Sequence, residues 1–242
     1  MISVVVPVYN SEATLPALVE RLLTSAKEWG QPFEIILVND GSRDESWQRI
    51  LRLKEGSESV RGIDLMRNYG QHNAVLCGVR EARGETIVTI DDDLQHPPEE
   101  IGAVLAQLTS GVDVIYGSPA TPEHGRLRGL ASWMAKWLLQ QAMGVRLAGT
   151  ASAFRVFRTQ LRETFAFVEG PFVNIDVLLS WGTQRFASVK VRHDRRVFGQ
   201  SNYPFRGLAR HAINMLTGFS TLPLQIATLL GLVVSGFGAL VL

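Results

Sequence analysis

Five short hydrophobic runs punctuate the first half of the chain: Ile2–Val8, Phe33–Val38, Val60–Leu65, Thr86–Ile90 and Val112–Tyr116. They are rich in β-branched residues and read as near-continuous hydrophobic runs, not as strict alternation. A strand that reads this way is covered on both faces. Between the runs lie longer amphipathic stretches, such as Ala13–Glu28 with Leu15, Leu18, Val19, Leu22 and Leu23 on one side. Ser42 and Glu45 have capping-box spacing and predict a helix running to about Lys54. Further helices are expected over Asn73–Arg83 and Pro98–Thr109. Strands alternating with helices imply a mostly parallel central sheet with helices on both faces, an α/β architecture.

Charge divides the 242 residues unevenly. All 24 Lys/Arg and 23 Asp/Glu lie in the first 210 positions, and no charged residue or histidine occurs from Ala212 to Leu242. A body of ordinary charge therefore precedes an apolar tail. This excludes disorder, a collagen-like or coiled-coil fibre, and a polytopic membrane protein within these residues. The single cysteine, Cys77, excludes an internal disulfide framework and a thiolate-rich zinc site. The start Met1-Ile2-Ser3-Val4-Val5-Val6-Pro7 has neither a basic leader nor a small-residue cleavage site, so a cytosolic body is expected.

The second half changes character. Arg126–Met143 and Pro204–Leu216 set Trp, Leu and Phe among Arg and Lys, as a helix lying in the headgroup layer does. The alternative for each is an ordinary core-facing helix. Leu222–Leu242 has no charge and would be about 31 Å long as a helix, close to the ~30 Å of a hydrocarbon core. It is expected to span the membrane, and the chain to continue beyond it. Arg206 and Arg210 before it place the body on the cytoplasmic face of a cell membrane. Seven Lys/Arg against one acid between Arg185 and Arg210 suit an anionic membrane lipid surface or phosphates, and no nucleic-acid-binding signature accompanies them. The expected domains are a catalytic body over 1–203 including 126–143, a juxtamembrane helix over 204–217 and the spanning helix over 222–242.

Chemistry concentrates at Thr86-Ile-Val-Thr-Ile-Asp91-Asp92-Asp93-Leu-Gln95-His-Pro-Pro-Glu99. A buried strand ends in three acids, at the edge where open α/β sheets bind ligands. In extended chain Asp91 and Asp93 point to one side and Asp92 to the other. Two carboxylates with water suit Mg²⁺ or Mn²⁺ on a diphosphate. Past the first strand stand Tyr9, Asn10, Ser11 and Glu12; past the second, Asn39-Asp40-Gly41-Ser42. A ring and a carboxylate there can hold a base and a ribose, although each is equally readable as core or turn. No Gly-x-Gly-x-x-Gly and no Walker-type lysine loop occurs, so neither dinucleotide oxidoreductase nor P-loop hydrolase is supported.

Taken together, these stretches resemble family 2 glycosyltransferases of GT-A (Rossmann-like) fold, in the branch that moves sugars onto polyprenyl phosphates. The resemblance covers essentially the whole chain. It rests on Pro7-Val-Tyr-Asn10, Val38-Asn-Asp-Gly-Ser-Arg-Asp44, Arg67-Asn-Tyr-Gly-Gln-His-Asn-Ala74, the acid stretch, Phe154-Arg155, and Arg196-Val-Phe-Gly-Gln-Ser-Asn-Tyr203.

The resemblance implies a membrane-associated, inverting transferase. Its donor would be a nucleotide-diphospho-sugar, UDP-sugars ahead of GDP-mannose, and its acceptor undecaprenyl or dolichyl phosphate. Pro7, Tyr9, Glu12, Asp40, Arg67, Gln71, Asp91 and Asp92 would bind the nucleotide-sugar. Asp91, Asp93 and Gln95 would hold Mg²⁺ or Mn²⁺. Asp93 and Arg155 would be catalytic, and Arg126, Arg128, Arg196, Ser201 and Tyr203 would meet the lipid phosphate. Two positions depart from the family pattern: Gln200-Ser-Asn-Tyr203 replaces Glu-Ser-Lys-Tyr, and Ala153 stands where some members have an acid. Two other functions stay open. One is a family 2 transferase with a polysaccharide acceptor, against which Gln184-Arg185-Phe186 fails to match Gln-x-x-Arg-Trp. The other is a non-catalytic module binding nucleotide-sugar or lipid. Whether the chain forms a homo-oligomer is not readable from sequence.

Overall fold

The structure, a computed structural model, describes residues 1–119, 150–170, 172–194 and 222–241, with side chains in the last stretch at 224, 225 and 227–238. The chain divides into two compact units, Met1–Glu123 with Thr150–Gln200, and His124–Gly149 with Ser201–Leu242. The expected helices over 126–143 and 204–217 lie outside the described residues.

The first unit is built on strands β1 (Ile2–Val8), β2 (Phe33–Asn39), β3 (Val60–Asp64), β4 (Thr86–Thr89), β5 (Val114–Pro119), β6 (Arg155–Arg158) and β7 (Phe186–Val191). They form one seven-stranded sheet in the order β3-β2-β1-β4-β6-β5-β7. β6 runs antiparallel to both its neighbours, and every other pairing is parallel. The helices are α1 (Leu15–Ala26), α2 (Ser46–Gly56), α3 (Gln71–Glu81), α4 (Ile101–Leu105) and α5 (Ile175–Gly182), with 3₁₀ turns at Pro98–Glu100 and Thr159–Phe165.

All seven residues of β1 are buried, as expected of a central strand between two helical layers. Ile2, Val4, Val6 and Val8 join Leu15, Leu18 and Leu22 of α1 in the main core. Val5 points the other way, against Gly78 of α3, where a Cβ would collide with its side chain. Pro7, which has no N–H to give a ladder, sits beyond the last β1–β4 pair, Val5↔Thr89. Its missing donor faces a neighbour that has already ended.

Several boundaries differ from the sequence reading. α2 begins at Ser46, and the capping box is not formed. Ser42 Oγ instead accepts from Asn10 N (3.0 Å), while Glu12 and Asp44 carboxylates take the amides of Glu45 and Ser46 (2.8 and 3.0 Å). The helix expected over Pro98–Thr109 contracts to a 3₁₀ turn and five α-helical residues. β6, α5 and β7 were not anticipated: β6 has four residues, and β7 alternates buried ends with exposed middles, as an edge strand does.

In the second unit Leu222–Val241 forms one helix, α6, of 20 residues. Leu224, Leu229, Leu230, Leu232, Val233, Val234 and Phe237 are each 60–70 % exposed. The expected helix is present. Its expected crossing is not borne out: among the described residues no helix is long and apolar enough to cross a membrane.

Candidate active site

β1, β2, β3 and β4 all end at one edge of the sheet. The chain winds from β1 outward to β2 and β3, then returns to place β4 on β1's other side. Between β1 and β4, therefore, successive connections diverge and open a crevice beyond the strand ends. The exit loops of β1 and β4 meet there. Tyr9 N donates to Asp92 Oδ2 at 3.1 Å, and Ser11 Oγ donates to the same oxygen at 2.5 Å.

The acids Asp91–Asp93 occupy a turn, not extended chain, so strand alternation does not set their directions. Each carboxylate is aimed by a different neighbour. Asp91 Oδ1 accepts from Gln71 Nε2 at 2.6 Å, at the first residue of α3. Asp92 turns to the β1 loop. Asp93 Oδ1 accepts from Gln95 N at 3.0 Å, closing the turn in which Leu94 takes a φ of 61°. Burial pushes the Asp92 carboxyl up to about 6, with Asp93 adding to the rise and the Ser11 and Tyr9 donors opposing it. Asp91, Asp93 and Gln95 are all half-buried in this turn. Among the described residues no group of three or more His, Cys, Asp or Glu is placed to hold a metal.

The second wall is a knot of loops. Asn10, at φ 54°, receives Arg43 N on its side-chain oxygen (2.8 Å), and Glu12 N donates to Asp44 (3.1 Å). Asp40, only 2 % exposed, accepts from Tyr69 N and Gly70 N at 2.7 and 2.9 Å. Burial raises its carboxyl above the ordinary value against those two donors. Gly41 next to it has a φ of 65°, and a Cβ there would stand 2.6 Å from the Arg67 and Asn68 backbone. Only glycine lets the two loops close this far. Asp40 and Glu12 are thus engaged by protein amides, while the Tyr9 ring is 44 % exposed. The Arg67 guanidinium lies 4.7 Å above the Tyr69 ring. Pro7 is the penultimate residue of β1, one before Val8 and the loop system.

Arg155 requires a correction. Expected to be catalytic, it is 5 % exposed, and all three guanidinium nitrogens are committed to protein acceptors. Nε and Nη2 donate to Asp176 at 2.6 and 2.9 Å, and Nη1 to Thr89 Oγ1 and Ala153 O at 3.3 and 3.1 Å. Tyr116 Oη donates to Asp176 at 3.0 Å. Burial alone would raise the Asp176 carboxyl; the Arg155 charge outweighs it and holds it low. Arg155 braces the end of β4, two residues before Asp91. It is a support. Arg126, Arg128, Arg196, Ser201 and Tyr203 lie outside the described residues.

His96 is 7 % exposed, with its ring 4.9 Å from His193 edge to face and 5.7 Å from Phe154. Burial first, and then His193, hold its imidazole down at about 4, so it is neutral at pH 7. Sequence reasoning placed Ser11 and Ser42 in these loops without a partner, and missed Tyr116 and Asp176. No motif or spacing announces them; only the fold brings them together.

The pattern of the family described as Glycosyl transferase family 2 matches residues 3–167. The undecaprenyl-phosphate 4-deoxy-4-formamido-L-arabinose transferase of Pectobacterium carotovorum subsp. carotovorum (strain PC1) is 35 % identical over 239 residues, 98 % of this chain and 73 % of that protein. The protein of the same name from Yersinia enterocolitica serotype O:8 / biotype 1B is 34 % identical over 244 residues, 100 % of this chain and 75 % of that one. Among solved structures, glucosyl-3-phosphoglycerate synthase from Mycobacterium tuberculosis, in complex with Mn²⁺ and uridine-diphosphate-glucose, superposes with a TM-score of 0.62. It is 20 % identical, and the match covers 89 % of this chain and 76 % of that one, a likeness of fold.

Proposed function

This chain belongs to glycosyl transferase family 2, and on that premise we propose that it moves a sugar from a nucleotide-diphospho-sugar to a polyprenyl phosphate at a membrane surface, inverting the anomeric carbon. The observation that carries the proposal is whole-chain similarity, at 34–35 %, to relatives named as undecaprenyl-phosphate sugar transferases. The acid turn at the β1–β4 crevice supplies a place for the chemistry.

A divalent ion fits the donor set. Asp91 and Asp93 offer hard carboxylate oxygens and Gln95 an amide oxygen, and Mg²⁺ or Mn²⁺ takes its remaining ligands from phosphates and water. Bound there, the ion would neutralise charge on the departing diphosphate. The residues around it do the positioning. Gln71 aims Asp91, the Ser11–Tyr9 pair fixes Asp92, and Asp40 keeps the Tyr69–Gly70 loop against the knot. The exposed Tyr9 ring and Arg67 suit the base and phosphates of the donor. Arg126, Arg128, Arg196, Ser201 and Tyr203 are assigned to the acceptor phosphate. A phosphate oxygen is anionic at neutral pH, so the nucleophile needs no strong general base. What remains is to hold two polyanions together in line.

α6 supplies the membrane contact. Its exposed leucines, valines and Phe237 are costly in water and favourable in lipid. Arg206 and Arg210 before it put the body on the cytoplasmic side. The domain assignment follows: 1–203 as catalytic body with 126–143 at the interface, 204–217 juxtamembrane, and the apolar helix last.

The test is transfer. The protein with undecaprenyl or dolichyl phosphate, a panel of UDP- and GDP-sugars, and Mg²⁺ or Mn²⁺ should yield a lipid-linked sugar of inverted configuration. Nucleotide binding without transfer to any polyprenyl phosphate, or a retained configuration, would overturn the proposal.

A further inference from the structure

β1 is paired unequally on its two sides. With β2 its ladder runs to the last residue, Val8↔Asn39, and Asp40 N then donates to Val8 O at 2.8 Å. With β4 the ladder stops at Val5↔Thr89, where Ile90 N donates to Val5 O at 3.2 Å. Beyond that point β1 and β4 part, and the exit loop of β1 stays with β2. Asn10 N donates to Ser42 Oγ at 3.0 Å, Ser11 N to Ser46 Oγ at 2.8 Å and Glu12 N to Asp44 Oδ2 at 3.1 Å, all on the β2 side. Tyr9 N turns the other way, to Asp92. Ser11 Oγ joins it on the same carboxylate oxygen. Asp92 thus reaches back across the gap between the diverging strands, where the backbone ladder no longer does.

The two sides of that gap carry different parts of the donor site. Tyr9 stands on the β1 side, its ring half-exposed and assigned to the base. Asp91 and Asp93 stand on the β4 side, assigned to the metal and the diphosphate. We propose that Asp92 is a positioning residue: by bonding the Tyr9–Ser11 loop to the acid turn, it sets the span between the nucleoside-binding loop and the diphosphate-binding carboxylates, so that one donor molecule meets both at once. This rests on the donor half of the function proposed above. Two contacts made by one linked ligand reinforce each other only while the geometry lets both engage, and a misplacement of about 1 Å costs up to about a hundredfold. Each side keeps its own bonds when Asp92 is lost. The loop retains those to Ser42, Ser46 and Asp44, and the turn retains Gln71 on Asp91 and the Gln95 amide on Asp93. The loss therefore falls on ligands that bridge the gap and spares those that touch one side. Asparagine at this position keeps an oxygen for both donors without the charge, which separates bonding from electrostatics.

The experiment titrates wild type, Asp92→Ala, Asp92→Asn and Ser11→Ala, as full chains, by calorimetry. The probes are UMP without metal, inorganic diphosphate with Mn²⁺, and UDP with Mn²⁺, with GMP and GDP in parallel. In Asp92→Ala the affinity for the nucleoside diphosphate should fall about tenfold or more, while those for monophosphate and inorganic diphosphate stay within about twofold. Asp92→Asn should return to within about threefold of wild type, and Ser11→Ala, which keeps the Tyr9 bond, should lose less than Asp92→Ala. A general loosening would weaken all the probes together, and a purely electrostatic role would leave asparagine no better than alanine. Either result, or an unchanged nucleoside diphosphate affinity in Asp92→Ala, overturns the inference. If Asp92→Ala fails to fold, Ser11→Ala against Asp92→Asn carries the same comparison. Failure of wild type to bind either nucleoside diphosphate overturns the inference and the donor assignment together. Transfer to undecaprenyl phosphate is a separate readout: the expected binding pattern without transfer overturns the proposed function and leaves the span standing.

Discussion

At the scale of single residues, the three acids of one turn are held by three different neighbours. Under the proposed function Asp91 and Asp93 hold the metal, and Asp93→Ala should lower kcat about a hundredfold or more while the melting temperature stays within a few degrees, checked by transfer assay and thermal unfolding. Asp92 instead ties β4 to β1. Its folded pKa of about 6 lies above the ordinary carboxylate value, so the group favours folding most when protonated, at low pH. That contribution is lost as pH rises from about 4 through 6. Asp92→Asn keeps an oxygen for Ser11 and Tyr9 and removes the titration. Urea unfolding without metal or nucleotide should show the variant gaining on wild type across that window, by on the order of 2–3 kcal/mol. The acids themselves were legible in the sequence, but not this division. It depends on Ser11 and Gln71, which lie about 80 and 20 residues away along the chain. Likewise Glu12 and Asp40 were readable as site residues, yet their carboxylates are spent on the backbone of neighbouring loops.

Elements tell the same story at longer range. β1 to β5 were readable because each is a hydrophobic run bounded by helical periodicity. β6 and β7 were not, since four residues carry no period and an edge strand mixes Lys190 and Ser188 into its run. The pair that joins β6 to α5, Arg155 with Asp176, spans 21 residues and two unanticipated elements. Hence an arginine that resemblance sent to the substrate is found inside the sheet. Breaking a buried pair strands its partner's charge, so Asp176→Ala should destabilise the fold by about 3–5 kcal/mol in urea unfolding. The β2 exit loop offers a second test. Gly41→Ala meets both a positive φ and a backbone 2.6 Å away, and should cost about 1–3 kcal/mol with a matching loss of donor affinity.

For the whole molecule, charge ends at Arg210, and an apolar helix, α6, lies in the stretch that follows. The sequence led to the expectation that this helix spans a membrane, and among the described residues no helix is long and apolar enough to do so. Replacing Leu229, Leu230 and Val233 by Asp should abolish co-sedimentation with anionic vesicles while nucleotide binding persists; retained sedimentation would place the lipid contact elsewhere. The reversed strand has an effect of another kind. β5 ends at Pro119 and β6, running backwards, starts at Arg155, so the chain departs from and rejoins the sheet at one rim, the rim where the acids stand. Chain length between those two strand ends is therefore free to vary without shifting any strand pairing.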